Sequence, residues 1–527
     1  MKKEKGRAMN NSVRIICCIV VVTATNHSSP ASQPASQPAN QPQTMDFSST
    51  QRALTSLQRR MPKLSDTVQS LATKLLTIQN ISDPAYLQCT KELLKIGTSG
   101  EENEHETARW EPLAVGFHLT ASYLQLVTVT YDPSKTADLY MDGPRVPTVV
   151  DTAATESTPG TGTGSIDTAQ TTVEDIDESQ IVPFCEFIMT MCQAHLEHNE
   201  PRVRSLVAKV VGQHAKLGTT LQAQNQIGVT LIAQSVKLYN SVLSSLYDHL
   251  GTGRDTKDKS KSSEGALDDT TGWRALETNL YGIGSFIQAS GERYFEYSGK
   301  GLDGGGVDEE LLKGVEYCCI THVNRHVRAA GINVLEQMVH ACVLNANDAT
   351  DGRGAMDMLF LPDSQLRRCI VQVLKMALGD NWSQVRMAGS VLCRVFFVAM
   401  LDYSEKFPDK MEDRDIWLTS VYPILLPRMC LNRFYLAQGV KLYSHETWRI
   451  LFDRSQGSAG AGVESVALNA GPICRYYVQM CDADNHVVRE AACQAVAELA
   501  NKIGRSEEYA GYLAPYVVTL LQVSIIE

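Results

Sequence analysis

Ser383-Gln384-Val385-Arg386, followed by the small residues Ala388 and Gly389, is one copy of a short motif that occurs four times in this chain. The other copies are Pro201-Arg202-Val203-Arg204, Arg325-His326-Val327-Arg328 and His486-Val487-Val488-Arg489. Small residues at helical spacing follow each of these as well: Ser205 and Ala208, Ala329 and Ala330, Ala491 and Ala492. Such recurrence indicates a repeat protein, in which helix pairs stack because no pair can bury its apolar face alone.

The motif resembles the start of the second helix of a HEAT repeat. Asp380 stands six residues before Arg386, as in the consensus of that family. The resemblance implies a buried valine, an aspartate that caps the helix, and an Asp-Arg ladder between neighbouring repeats. The other copies carry His198, His322 and Ala483 in place of the aspartate, so we expect other contacts to hold their turns. The fold implied is an all-α, α-α superhelix, a solenoid of the HEAT or armadillo type with long disordered insertions.

The organisation along the chain is predicted from periodicity and composition. Helices are expected from Asp83-Pro84 onward and over Leu113–Val129, and a repeat length of about 40 residues leaves room for degenerate repeats between the copies. Trp273-Arg274-Ala275-Leu276-Glu277 opens one of these. Long alternating Val/Ile/Thr runs are absent, so no sheet is expected. The predicted regions are a leader at 1–44, helical repeats at 45–131, a disordered acidic insertion at 132–180, and the solenoid at 181–527 with a polar loop at 251–271.

Both ends of the chain carry apolar residues. The run 15–22 is apolar and follows five basic residues, Lys2, Lys3, Lys5, Arg7 and Arg14, which is the pattern of a secretory signal too short to span a bilayer. Translation from Met45 would give a cytosolic start instead. We expect a cytoplasmic or nuclear protein, with the secretory pathway as the alternative if run 15–22 is a signal peptide. The apolar pattern continues to Glu527, so a longer natural protein is expected.

Charge and cysteine usage narrow the class of partner. The net charge is −11, which disfavours DNA or RNA as the main partner because phosphate binding needs a concentrated basic surface. Four basic residues cluster locally and are expected to form solvated helix faces: Arg428, Arg433, Lys441 and Arg449. Many of the 14 cysteines lie in apolar helical runs, where a free thiol acts as a small buried hydrophobe. No membrane span is expected.

Two clusters contain residues of the types that bind zinc. They are Cys318, Cys319, His322 and His326, and Cys192, His195 and His198. His198 and His322 occupy the same position of the repeat motif and neither cluster has paired CxxC spacing, so we expect structural turns rather than metal sites. No motif for phosphate binding, zinc proteolysis or serine hydrolysis occurs. We therefore expect no enzyme activity, no cofactor and no metal.

Three binding functions fit this architecture. The first is a non-catalytic scaffold that binds protein partners along its solenoid surface. The second is an importin-β-like transport receptor, because Trp273-Arg274-Ala275-Leu276-Glu277 resembles the helix starts of that family. The third is a tubulin-binding array of the TOG type with Trp382 at a loop, although the acidic balance of the chain argues against an acidic tubulin surface. Trp382 and Trp448 are candidate partner anchors, with inter-helix packing as the alternative.

Overall fold

A computed structural model of the chain describes residues 70–71, 73–75, 84–98, 110–132, 178–222, 226–254, 272–298, 307–348, 354–361, 363–406, 419–452 and 461–520. Among these residues the chain consists of helices and short turns and contains no strand, which confirms the predicted all-α fold. The described residues form two compact units, one within Gln43–Ala355 and one within Met356–Glu527. The boundary between the units falls inside the predicted 181–527 region.

The first unit is built from helix pairs. Its longer helices are α1 (Pro84–Thr98), α2 (Trp110–Tyr131), α3 (Glu178–Ala194), α4 (Pro201–Gln222), α5 (Gln226–Arg254), α6 (Trp273–Ser290), α7 (Glu309–Ile320) and α8 (Arg325–Asp348). Each odd-numbered helix packs on the even-numbered helix that follows it, and α2, α4, α6 and α8 stack in chain order. Helices α3, α5 and α7 form the second layer. This two-layer stacking of neighbours in sequence is the arrangement of an α-solenoid.

The second unit repeats the arrangement. Its longer helices are α9 (Gln365–Ala377), α10 (Ser383–Lys406), α11 (Tyr422–Asn432), α12 (Gln438–Phe452), α13 (Ala461–Leu468), α14 (Ala470–Cys481) and α15 (His486–Lys502). Helices α10 and α12 pack together in one layer, and α9, α11 and α14 pack in succession in the other. The four motif copies lie in the first turns of α4, α8, α10 and α15.

The motif valines belong to the core of each unit. Val203 and Val327 are 0% exposed, Val385 is 1% exposed and Val488 is 3% exposed, which confirms the prediction that all four are buried. The small residues after them permit close helix packing. A Cβ on Gly389 of α10 would lie 2.8 Å from the Cβ of Ala377 on α9, so a larger residue there would push the two helices apart.

Several predicted boundaries agree with the structure and others shift by a few residues. Helix α1 begins at Pro84, α6 begins at Trp273, and α2 contains the whole of the predicted 113–129 helix. The β-branched end of α2 stays helical partly because the Thr128 hydroxyl donates to the Leu124 carbonyl at 2.8 Å. Helix α3 starts at Glu178, inside the predicted insertion, and α5 extends to Arg254, inside the predicted loop.

Other predictions concern residues that the structure does not describe. The leader at 1–44, most of the insertion at 132–180, the loop residues 255–271 and the last seven residues, 521–527, lie outside the described residues.

Two described helices are long and apolar enough to cross a membrane by length and composition alone. They are α2 and the Ser383–Tyr403 part of α10, and in the most apolar stretch of each 67% and 61% of the residues are buried in the fold. Both pack against neighbouring helices, α2 on α1 and α4, and α10 on α9 and α12. Core helices of this kind pass the same test.

Candidate functional site

The motif arginines bind backbone carbonyl groups at the turns that precede their helices. In three copies the guanidinium donates a hydrogen bond to the carbonyl oxygen six residues upstream: Arg204 to His198 at 2.8 Å, Arg386 to Asp380 at 2.9 Å and Arg489 to Ala483 at 2.6 Å. The bond uses the main chain, so it does not depend on which side chain precedes the arginine by six residues.

This finding corrects the Asp-Arg ladder implied by the family resemblance. Arg386 binds Asp380 through the carbonyl oxygen of the aspartate, not through its carboxylate. The carboxylate instead accepts a hydrogen bond from the N–H of Trp382 at 2.8 Å and so caps the turn, which confirms the capping role. Capping and arginine binding are therefore separate tasks of the same residue.

The turn histidines perform the same capping task as Asp380. His198 Nδ1 accepts the N–H of Glu200 at 3.0 Å, and His322 Nδ1 accepts the N–H of Asn324 at 3.1 Å. In both cases, as at Asp380, the acceptor lies two residues before the donor. Burial lowers the pKa of both histidines, which keeps the ring neutral and Nδ1 available as an acceptor. This confirms the prediction that the neighbouring backbone supplies their hydrogen bonds.

The remaining members of the two candidate zinc clusters have packing roles. His195 lies edge-on to Phe117 with ring centroids 5.9 Å apart, and His326 stacks on Trp273 at 5.8 Å. Burial raises the pKa of the Cys318 thiol to about 12, so the thiol stays protonated near neutral pH. Within the described ranges no group of three or more His, Cys, Asp or Glu side chains converges as a metal site would require.

In the first unit Arg204 joins neighbouring helices of one layer. Its Nη2 donates to Glu277 Oε2 of α6 at 2.7 Å, and its guanidinium lies 5.2 Å from the Trp273 ring centroid. The other carboxylate oxygen of Glu277 lies 3.8 Å from Nδ1 of His326 on α8. Trp273 and Glu277 thus hold α4, α6 and α8 together, and this accounts for the Trp-Arg-x-x-Glu pattern by packing.

In the second unit Arg386 joins two neighbouring turns. Its Nη1 donates to Asn432 Oδ1 at 2.7 Å, and its guanidinium lies 4.0 Å from the ring centroid of Tyr435. Asn432 in turn donates to the Leu378 carbonyl at 3.1 Å. Arg386 is 1% exposed, and burial lowers the pKa of its guanidinium. The inter-repeat link is therefore an arginine-asparagine bridge covered by an aromatic ring.

The expectation that Arg428 and Arg433 form a solvated face is wrong. Arg433 is 5% exposed and forms two hydrogen bonds to the Glu498 carboxylate of α15, with its guanidinium 4.2 Å from the Trp448 ring centroid. Arg428 donates to the Lys375 carbonyl of α9 at 2.9 Å. Their planar guanidinium groups bridge helices, which helical spacing alone could not distinguish from a polar face.

Sequence reasoning missed one copy of the motif. Val440-Lys441 lies in the first turn of α12 and replaces the Val-Arg pair with Val-Lys. Val440 is 1% exposed and belongs to one hydrophobic cluster with Met387 and Val488. The signal that could have found it is the valine at the start of a helix between two recognised copies, with a cation after it.

The turns before α10, α12 and α15 lie side by side and form what we call the turn edge, residues 380–382, 435–437 and 483–485. Arg386 links the first turn to Tyr435 of the second, and Ala483 of the third packs against the cluster that contains Tyr435. Trp382 is 45% exposed and Leu436 is 66% exposed on this edge. Trp448, by contrast, packs on Phe452 with ring centroids 4.4 Å apart. Of the two candidate anchors, only Trp382 presents a largely accessible ring.

The turn edge combines apolar anchors with negative charge. The exposed Asp484 lies on its third turn and the exposed Asp482 directly precedes that turn. Aromatic and aliphatic anchors surrounded by polar residues are features of protein-binding surfaces. In comparisons with known proteins, no protein-family model matches this chain, and no curated protein matches it either.

Proposed function

We propose that this chain is a non-catalytic, HEAT-type α-solenoid scaffold that binds a protein partner through the turn edge of its second unit. The supporting observation is the exposure of Trp382 and Leu436 on adjacent turns whose backbones are fixed from below. Large apolar side chains at such positions lose burial free energy unless a partner covers them.

The rigidity of the turns supports this proposal. Arg386 and Asn432 connect the first two turns through bonds of 2.7 Å and 3.1 Å, so both anchors are held at a fixed separation. A preorganised surface loses little conformational entropy when a partner binds. Asp482 and Asp484 add negative charge at the third turn, which favours a partner with a basic patch next to an apolar groove.

A tubulin-binding array of the TOG type is the second candidate, because Trp382 is an exposed tryptophan at a turn, as that reading requires. The acidic residues beside the third turn weigh against it. The importin-β-like alternative gains no support from Trp273 and Glu277, since both are engaged with Arg204.

The scaffold proposal is tested by placing a photo-crosslinking residue at position 382 of the full chain in cells and identifying the trapped protein. The partner found should bind the purified chain, and Trp382→Ala combined with Leu436→Ser should weaken that binding at least about tenfold, as for loss of hot-spot residues. Leu468→Ser is the matched control, because Leu468 is 62% exposed on α13 and lies off the turn edge.

Two outcomes would contradict parts of this proposal. Equal loss of binding in Leu468→Ser and in the double variant would remove the turn edge as the binding surface. Binding of purified tubulin that depends on Trp382 would favour the TOG-type function over a scaffold for a basic partner.

A further inference from the structure

The second unit contains a cavity that no motif of the sequence indicates. It lies between α11, α12, α13, α14 and α15 and has a volume of about 190 Å³. Phe452, Val466 and Leu499 contribute apolar walls. The exposed Lys502 also lines the cavity, so the cavity reaches solvent at that side. The volume suits an apolar group of the size of a phenyl ring with a short side chain.

The polar group at the cavity is the guanidinium of Arg433. Its Nη1 donates to Glu498 Oε1 at 3.0 Å and its Nη2 donates to Glu498 Oε2. Its Nε is buried and has no hydrogen-bond partner among the described residues. An unsatisfied buried donor costs about 1–3 kcal/mol, so this N–H creates a demand for an acceptor.

The position of Arg433 is fixed on several sides. Trp448 covers one face of its guanidinium at 4.2 Å, and the Glu498 carboxylate holds both terminal nitrogens. Gly462 of α13 permits the wall to close around Trp448, because a Cβ there would lie 2.8 Å from Cζ2 of the indole ring. The cavity is therefore a built feature with a fixed donor.

The charges around the cavity select the sign of the ligand. Arg433 and Lys502 are cationic, and Glu498 is the one carboxylate among the lining residues. Because Arg433 and Glu498 neutralise each other, Lys502 leaves one positive charge in excess. An amine would meet Lys502 without a free counter-charge, whereas a carboxylate would be attracted by it.

We propose that this cavity binds an apolar carboxylate. The apolar body packs against Phe452, Val466 and Leu499, and the carboxylate accepts from Arg433 Nε and lies near Lys502. The source is either a free small aromatic or branched acid, or the C-terminal residue of a bound peptide. This site does not depend on the scaffold function, since it lies within one unit and its test needs no partner protein.

The test measures binding of 3-phenylpropionate, 3-phenylpropionamide and 3-phenylpropylamine to the purified full chain by calorimetry. We expect the acid to bind, the amide to bind more weakly and the amine to show no binding. Lys502→Gln should weaken binding of the acid about fivefold, as for loss of one partly screened ion pair. Lys375→Gln is the matched control, because Lys375 is exposed in the same unit and does not line the cavity.

A second variant tests the cavity itself. Val466→Trp should fill it and abolish binding, whereas Leu468→Trp, two residues further along α13, should leave binding unchanged. A peptide that ends in phenylalanine, compared with its C-terminal amide, distinguishes the two sources: tighter binding than phenylpropionate identifies a chain terminus. Absence of acid binding at millimolar concentration, preference for the amine, or full binding to Val466→Trp would overturn the proposal.

Discussion

At the residue scale, the motif arginine acts by satisfying main-chain acceptors and by reaching a neighbouring repeat. Arg386 does both within a buried environment, whereas Arg489 is half-buried and binds the carbonyls of Ala483 and Asp484. The free energy that each arginine contributes should follow burial, since a buried acceptor without a donor cannot be rescued by water.

Arg386→Ala should therefore lower the stability of the protein more than Arg489→Ala does. The first variant leaves the Asn432 side-chain oxygen and the Asp380 carbonyl without their donor and removes the packing on Tyr435, at a cost of about 2–4 kcal/mol. The second should cost about 1 kcal/mol. Thermal melts of both variants decide the matter, and equal shifts in melting temperature would contradict the role of burial.

The turn histidine should be replaceable by aspartate. His322→Asp keeps an acceptor two residues before Asn324, so the change should be nearly neutral, whereas His322→Ala removes the cap and should cost about 0.5–2 kcal/mol. Chemical denaturation of the two variants provides the measurement. Zinc bound in stoichiometric amount and lost in His322→Ala would show that the histidine is a metal ligand after all.

His214 should make the first unit sensitive to acid. It is 1% exposed, its Nδ1 lies 2.6 Å from Ser235 Oγ, and burial lowers its pKa from 6.5 to about 4. The unfolded chain thus binds the proton more readily, so the stability that His214 contributes is complete above pH 6.5. It is lost as the pH falls towards 4, by roughly 3 kcal/mol in total.

Replacement of His214 by glutamine should reduce the loss of melting temperature between pH 6.5 and 4, because the titrating group is gone. The exposed His486 provides the matched control, and His486→Gln should leave the pH profile unchanged. A profile that is the same in His214→Gln and in the parent chain would exclude His214 as the source of acid sensitivity.

At the element scale, close approach between helices of one pair depends on small residues at particular positions. Gly389 contacts Ala377 with no room for a Cβ, whereas Gly439, in the first turn of α12, has nothing within 4 Å of a Cβ built on it. Two glycines on neighbouring repeats thus predict opposite outcomes for the same substitution.

Gly389→Ala should destabilise the second unit by about 1–3 kcal/mol through overpacking. Gly439→Ala should stabilise it by up to about 1 kcal/mol, because alanine restricts the unfolded chain and fits a helix better than glycine. Denaturant midpoints of the two variants should move in opposite directions. A shift of both in the same direction would mean that packing does not distinguish the two sites.

The sequence predicted helix identity and the buried valines well, because both follow from periodicity. It failed at Asp380, where a residue spacing cannot show whether a carboxylate or a carbonyl group meets the arginine. It also failed at Arg428 and Arg433, because a cation that bridges helices and one that faces water have the same helical spacing. Val440 escaped notice since lysine replaces arginine after it. The cavity beside Arg433 is formed by five helices, and no local pattern records such a meeting.

At the scale of the whole molecule, each unit is a stack in which helices contact their neighbours in sequence. In such stacks stability is approximately a sum of terms from single repeats and adjacent interfaces, so damage stays local. The contacts described for Arg386 all lie within Met356–Glu527.

Arg386→Ala should therefore increase hydrogen exchange in helices α9 to α12 and leave the rates in α4, α6 and α8 unchanged. Mass spectrometry of the full chain after deuterium labelling can resolve these helices as separate peptides. The reciprocal control is Glu277→Ala, which breaks the bond to Arg204 and should increase exchange around α4 and α6 only. Exchange that increases along the whole chain in either variant would show that the protein unfolds as one cooperative body.

The carbonyl group six residues before the motif arginine has a consequence for the history of such a chain. Every amino acid carries that acceptor, so mutation at this position leaves the arginine bonded whether the residue is histidine, aspartate or alanine. Neutral drift can then erase the consensus letter while the geometry persists. Descent among repeats of this kind should accordingly be easier to trace through the path of the backbone than through the residues along it.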